Sequence, residues 1–223
     1  MNNINIFFIN ISKFLKNIDT GSMDCFLEGK NFLSEKRKRE FSLGRFLIKY
    51  VLKNFYDLSE VEVDVENNKP CIRNDSVKFS ISHSNNMLVA AFCRKNIGVD
   101  IEFMKQRDFE KLFDYCGIDG ECLNKKEEFY RYWTRYEAEI KLAEPVCEFI
   151  SMKIFDDYML SLAFGEGADG SGIKTRLRMY ELVSPSERMN PSELINLKLV
   201  IESRKNENTV VAHEISTAQF DFR

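Results

Sequence analysis

No window of this 223-residue sequence approaches the roughly 18 consecutive apolar residues that span a bilayer, so no membrane helix is expected. The apolar run at residues 3–11 is broken by asparagines and lacks a basic flank, which argues against a secretion signal. Six cysteines (Cys25, Cys71, Cys93, Cys116, Cys122 and Cys147) include no CxxC pair and no regular spacing. Reduced thiols in a soluble, cytoplasmic protein are the expectation. A basic excess is also missing: 32 Lys and Arg face 35 Asp and Glu, a net charge of −3. No global field therefore exists to hold nucleic acid by counterion release. Walker A, HExxH, zinc-type and GxSxG patterns are all absent.

What remains is 44% hydrophobic and 30% charged, the composition of an ordinary globular protein rather than a disordered chain or a disulfide miniprotein. At this length about 70% of the unfolded surface can be buried, enough for one domain or two half-sized lobes. The charge is unevenly placed. Between residues 28 and 53, eight basic residues against three glutamates leave +5, so the rest of the chain carries −8. Such a patch suits a small polyanion. It also suits a plain solvated helix face, and charge alone favours the plainer reading.

Hydrophobic patterning predicts strands at residues 4–11, 61–65, 77–81, 87–93 and 97–101, and a helix over 35–53. Residues 67–70 read as a turn. A long helix is expected over 125–143, with an apolar stripe of Phe129, Tyr132, Trp133, Tyr136, Ile140 and Ala143. Strands follow at 149–155 and 158–164. Met87-Leu-Val-Ala-Ala-Phe92 matches Met159-Leu-Ser-Leu-Ala-Phe164, each after a polar turn and each preceded by an amphipathic helix. The expected architecture is α+β, built of two similar α/β lobes. The N-terminal lobe is placed at 1–96, the C-terminal lobe at 97–165, and an extension of the second lobe at 166–223. Within that extension 184–191 reads as a connector, and strands at 197–202 and 210–215 as a hairpin.

Chemistry-bearing residues are few. Asp100 and Glu102 sit at i and i+2 of a predicted strand, so both carboxylates face one side. Paired hard oxygens are what Mg²⁺ prefers. Glu137 on the long helix adds a third carboxylate, with Lys141 one turn later. The competing reading is a solvent-facing strand and an ordinary i,i+4 ion pair. His83, in Ser80-Ile-Ser-His-Ser84, either contacts a phosphate or caps a turn. His213 reads as structural. Gly165-x-Gly-x-x-Gly170 follows a strand, but Glu166 and Asp169 would repel pyrophosphate and no helix follows, which excludes a dinucleotide loop.

Four ordered blocks together resemble the surfactin-type 4′-phosphopantetheinyl transferases, a family that includes the enterobactin-synthesis branch. They are Lys36-Arg-Lys-Arg-Glu-Phe-Ser-Leu-Gly-Arg45, Asn68-Lys-Pro70, Phe79-Ser-Ile-Ser-His-Ser84, and Ile97-Gly-Val-Asp-Ile-Glu102 joined to Trp133-Thr-Arg-Tyr-Glu-Ala-Glu-Ile-Lys141. The resemblance spans residues 30–164. It implies a pseudo-dimer with the active site at the interface of the lobes. It also implies a Mg²⁺-dependent transfer of 4′-phosphopantetheine from coenzyme A to a serine of an acyl or peptidyl carrier protein; a monomer is expected, because two lobes in one chain can complete the site. The resemblance further implies that Asp100, Glu102 and Glu137 hold the metal, that Arg37, Arg45, Lys69, Ser82 and His83 contact coenzyme A, and that Glu137 and Lys141 are catalytic. Two departures favour an alternative, a non-catalytic module binding coenzyme A or a carrier protein. Tyr136 stands where the family has lysine, and the stretch after Lys141 is short and lacks glycine. Residues 166–223 match no family block.

Overall fold

The structure, a computed structural model, describes residues 3–18, 20–58, 62–66, 69–73, 76–118, 123–165, 176–183 and 211–215. In chain order the elements are β1 (Asn3–Asn10), α1 (Ile11–Leu15), a 3₁₀ segment (Thr20–Phe26), α2 (Glu35–Tyr56), β2 (Asp64–Glu66), β3 (Lys69–Cys71), β4 (Lys78–Ser84), β5 (Met87–Cys93) and β6 (Ile97–Phe103). There follow α3 (Phe109–Cys116), α4 (Lys125–Leu142), β7 (Glu148–Ile154), β8 (Tyr158–Phe164), β9 (Arg176–Val183) and β10 (Val211–Ile215). The fold is mixed α+β, as expected.

Two sheets carry it. The larger has the order β10-β9-β1-β5-β4 and the smaller β6-β8-β7, with β2 and β3 forming a separate ribbon. The pairs are antiparallel except β1 with β9, which is parallel. Side chains alternate along each strand and so sort into separate cores. Phe7 and Ile9 of β1 pack with Leu43, Phe46 and Tyr50 of α2. Ile4, Ile6 and Phe8 point the other way, onto Val99 and Ile101 of β6 and Leu160 and Leu162 of β8. Ala138 and Leu142 of α4 lie on Ala163 of β8. The layers therefore run α2, large sheet, small sheet, α4. Strands buried on both faces read as near-continuous apolar runs, and β5 and β8 are buried along their whole length, β8 with Ser161 as its one polar residue.

Several expectations change on inspection. Residues 62 and 63 are not in a strand, and the ribbon begins at Asp64. Lys69 and Pro70, read as part of a turn, belong to β3. Asn67 and Asn68 lie outside the described residues. β4 continues through His83 to Ser84 rather than turning there. α1 and α3 were not expected. Residues 176–183, assigned to an extension of the second lobe, instead pair with β1 in the large sheet, because β1 needs a ladder partner on each edge. The strand expected at 210–215 is β10, and its described partner is β9. The glycine-containing loop after Gly165, the connector at 184–191, the strand at 197–202, and the side chain of His213 lie outside the described residues. Among the described residues, no helix is long and apolar enough to cross a membrane.

The α4 stripe is the most instructive correction. The buried residues are Phe129, Tyr130, Thr134, Ala138 and Leu142. Tyr132, Tyr136 and Ile140 are 39%, 48% and 48% exposed. The backbones set this choice: a Cβ built on Gly98 of β6 would stand 1.9 Å from the Ala138 carbonyl oxygen. At such an approach only small side chains fit between helix and strand, so the bulky aromatics rotate outward.

Candidate active site

β4 is the edge strand of the large sheet and β6 the edge strand of the small one. No ladder pairs them; three serines at alternate positions of β4 supply the bonds instead. Ser80 Oγ accepts from the Val99 amide at 3.0 Å, Ser82 Oγ donates to Asp100 Oδ1 at 2.7 Å, and Ser84 Oγ donates to Glu102 Oε2 at 2.6 Å. Asp100 and Glu102 share the face of β6 that carries Gly98, the side turned to α4, as their spacing requires.

Lys141, in the last turn of α4, completes the cluster. Its Nζ lies 2.7 Å from Asp100 Oδ1 and 2.8 Å from Ser82 Oγ. Asp100 is buried, and its Oδ2 has no hydrogen-bond partner. Glu102 is half-buried; burial pushes its carboxyl above the usual carboxylate range, and the Ser84 bond opposes this. Glu137 is half-buried one turn before Lys141 on the same helix. Among the described residues, no group of three metal-ligating side chains is gathered closely enough to hold an ion. Asp100 and Glu102 lie on one face of β6, and Glu137 lies on α4, the helix packed on that face.

The donor set still fits a hard divalent cation. A buried carboxylate oxygen without a partner is costly to leave unsatisfied, and Asp100 Oδ2 is such an atom beside a second carboxylate two residues on. Lys141 meets part of that demand with its own positive charge.

Beside this cluster lies a cavity of about 620 Å³. Among its lining residues are Arg37, Arg45, Lys69, Ser82, His83, Asp100 and Lys141. Its walls also include Phe32, Phe41, Phe79 and Ile81. Arg45 is 3% exposed, its guanidinium lies 5.1 Å from the Phe41 ring centroid, and its Nη1 is buried without a hydrogen-bond partner. Glu28 Oε2 stands 3.2 Å from its Nε. Lys69 has another engagement: its ammonium donates to the carbonyls of Ile140 and Lys141, where α4 presents its negative dipole end. Arg37 is exposed at the rim. His83 Nδ1 is 3.7 Å from Glu40 Oε1. Burial depresses the His83 imidazole below its ordinary pKa, with Glu40 pulling it back up.

Sequence reasoning passed over Glu40, a carboxylate buried among cations in this cavity, 3.7 Å from both His83 and Lys36. Its only signal was its place within the basic block at 36–45. Ser84 was quoted within a motif but given no role.

No protein-family model matches the chain. It is 29% identical over 177 residues to the 4′-phosphopantetheinyl transferase ffp of Bacillus subtilis, covering 72% of this chain and 76% of that protein. Against the 4′-phosphopantetheinyl transferase Sfp of Bacillus subtilis (strain 168), identity is 28% over 176 residues, with the same coverage. The 4′-phosphopantetheinyl transferase HetI of a Nostoc species is 28% identical over 139 residues, 55% of this chain and 59% of that protein.

Proposed function

We infer that this relative of the 4′-phosphopantetheinyl transferases, a transferase enzyme by that kinship, moves the phosphopantetheine arm of coenzyme A onto a serine of an apo acyl or peptidyl carrier protein. The observation that carries the reading is the cavity, where Arg45 presents an unpartnered buried Nη1 beside the Asp100–Lys141 cluster. An anion would satisfy that guanidinium. Arg37, Ser82, His83 and Lys69 are the further contacts proposed for the nucleotide and its phosphates.

In the proposed reaction the serine Oγ attacks the β-phosphorus of coenzyme A. The bond from that phosphorus to the bridging oxygen breaks, and adenosine 3′,5′-bisphosphate leaves with the electron pair. Glu137 accepts the serine proton. Lys141, whose ammonium lies at the cavity wall beside Asp100, stabilises the charge that builds on the leaving oxygen. Asp100, Glu102 and Glu137 would hold Mg²⁺, which would neutralise pyrophosphate charge. We further propose that the two sheets with their helices act as two similar lobes, bounded as the sequence suggests at residues 1–96 and 97–165, with the site between them. The cavity's described lining comes from both sheets of one chain, which supports a monomer as the working form; a cytoplasmic location without nucleic-acid or membrane partners is proposed with it.

The test is intact-mass spectrometry of apo carrier proteins incubated with the chain, coenzyme A and Mg²⁺, with EDTA as control. A phosphopantetheine mass increase that vanishes with EDTA is expected. Coenzyme A binding without transfer to any carrier would favour the binding module. Asp100→Ala and Glu137→Ala are each expected to lower transfer at least about 100-fold while the circular dichroism spectrum is unchanged. Wild-type turnover in either variant would overturn the metal assignment.

A further inference from the structure

The serine row of β4 makes two kinds of contact with β6. Ser80 accepts from a backbone amide alone. Ser84 does more: its Oγ accepts from the Phe103 amide at 3.0 Å and donates to Glu102 Oε2 at 2.6 Å. A hydroxyl has one hydrogen to give. With the amide filling one acceptor site, that hydrogen is directed at the carboxylate, so the hydroxyl is pinned from both ends. Glu102 is the longer of the two strand carboxylates and has one more rotatable bond than Asp100. It is half-buried near the end of β6, where fixing its side chain has a real entropic cost. Asp100 is held by Ser82 and Lys141 together; among the described residues, the Ser84 hydroxyl is the one hydrogen-bond donor to the Glu102 carboxylate.

We propose that Ser84 is a positioning residue, reaching across the seam between the two sheets to fix the Glu102 carboxylate in the orientation that takes the divalent cation. The inference rests on the proposed metal-dependent transfer and adds to it a residue from the opposite sheet. In this arrangement, a strand whose other face lines the coenzyme A cavity also sets the aim of a metal ligand. Partners that orient a metal-binding side chain in this way typically matter by a factor of 10 to 100 in metal affinity.

Mn²⁺ serves as the probe, its binding read by electron paramagnetic resonance with coenzyme A present and no carrier, so that no turnover contributes. Ser84→Ala is expected to weaken Mn²⁺ binding roughly tenfold, while coenzyme A affinity without metal and the circular dichroism spectrum stay unchanged. In turnover, the Mg²⁺ concentration for half-maximal transfer should rise by a similar factor, with the rate recovered at saturating Mg²⁺. Ser84→Thr keeps the hydroxyl and should restore most of the affinity. Ser80→Ala breaks a bond of the same seam that touches no carboxylate, so it should lower thermal stability without moving Mn²⁺ affinity. If Ser84→Ala does not fold, Ser84→Cys, a weaker donor of similar shape, should give a smaller loss in the same direction. Wild-type Mn²⁺ affinity in the folded Ala or Cys variant, or an equal loss in Ser80→Ala, overturns the proposal. A wild-type chain that binds coenzyme A but takes up no Mn²⁺ overturns the metal-dependent reading itself, a result distinct from the first.

Discussion

At Tyr136, hydrophobic pattern and packing pull apart. Its ring is 48% exposed and leans on Trp133, centroids 6.0 Å apart at 41°. Little burial is lost when such a ring is removed. Tyr136→Lys is therefore expected to change stability by no more than about 0.5 kcal/mol, roughly 1–2 °C in melting temperature for a chain of this size. The new ammonium would stand about 100° around the helix from Glu137, so transfer should stay within about threefold of wild type. Scanning calorimetry and the carrier assay check the two halves; a fall of more than 5 °C would mean that Tyr136 is a packing residue after all. Much of the site was legible at this scale because one rule suffices: i and i+2 on a strand share a face, which puts Asp100 beside Glu102. The Lys141–Asp100 contact was not legible, since it depends on how far α4 stands from β6.

That separation is set at Gly98. Gly98→Ala would drive a methyl into the Ala138 carbonyl, a backbone atom that cannot swing aside. We expect a loss of at least about 2 kcal/mol and an outward shift of α4 that carries Lys141 off Asp100, so transfer should fall further than stability does. Urea denaturation beside the carrier assay reads both; a variant as stable as wild type would mean that the helix is not seated on the strand. The C-cap of α4, one residue past the helix, gives the opposite sign. Ala143, its C-cap, sits at φ 59°, in the left-handed region. Ala143→Gly relieves that strain and should add about 0.5–1 kcal/mol. Elements were most readable where local signals agreed: β5 as an unbroken apolar run and β8 as one interrupted only by Ser161, each after a polar turn, and α4 to within a residue. α3 escaped notice although Asp108 caps it and Phe109, Leu112, Phe113 and Cys116 keep helical spacing. A helix of two turns competes poorly with its loop-like flanks. The actual inner face of α4 could not be read either, because close packing rewards small residues that a hydrophobicity pattern undervalues.

Across the whole molecule, the decisive feature is that β1 and β5 serve two cores at once. Phe7, Ile9, Leu88 and Phe92 face α2, while Ile6, Phe8, Val89 and Ala91 face the small sheet. The matching segments 87–92 and 159–164 become β5 and β8, each an interior strand of its own sheet. The match between the two segments was visible in sequence; the packing of one sheet on the other was not, because runs buried on both faces do not reveal which layer covers which face. Since the same two strands join both cores, melting one layer strips the next of its apolar partner. Unfolding should therefore be a single transition, with calorimetric and van't Hoff enthalpies in agreement. Phe7→Ala and Phe8→Ala empty sites on opposite faces of β1. Each should cost about 3–5 kcal/mol and shift the whole transition to lower temperature, leaving one peak rather than two. Two resolved peaks, with Phe7→Ala moving only one of them and Phe8→Ala only the other, would mean that the α2 core and the inter-sheet core fold separately. The seam of serines between β4 and β6 would then join two independent bodies, and the distance from Arg45 to Asp100 would be free to vary. One cooperative transition is what a cavity walled by α2 and β4 on one side and by β6 and α4 on the other requires to keep Arg45 and the Asp100–Lys141 pair in register.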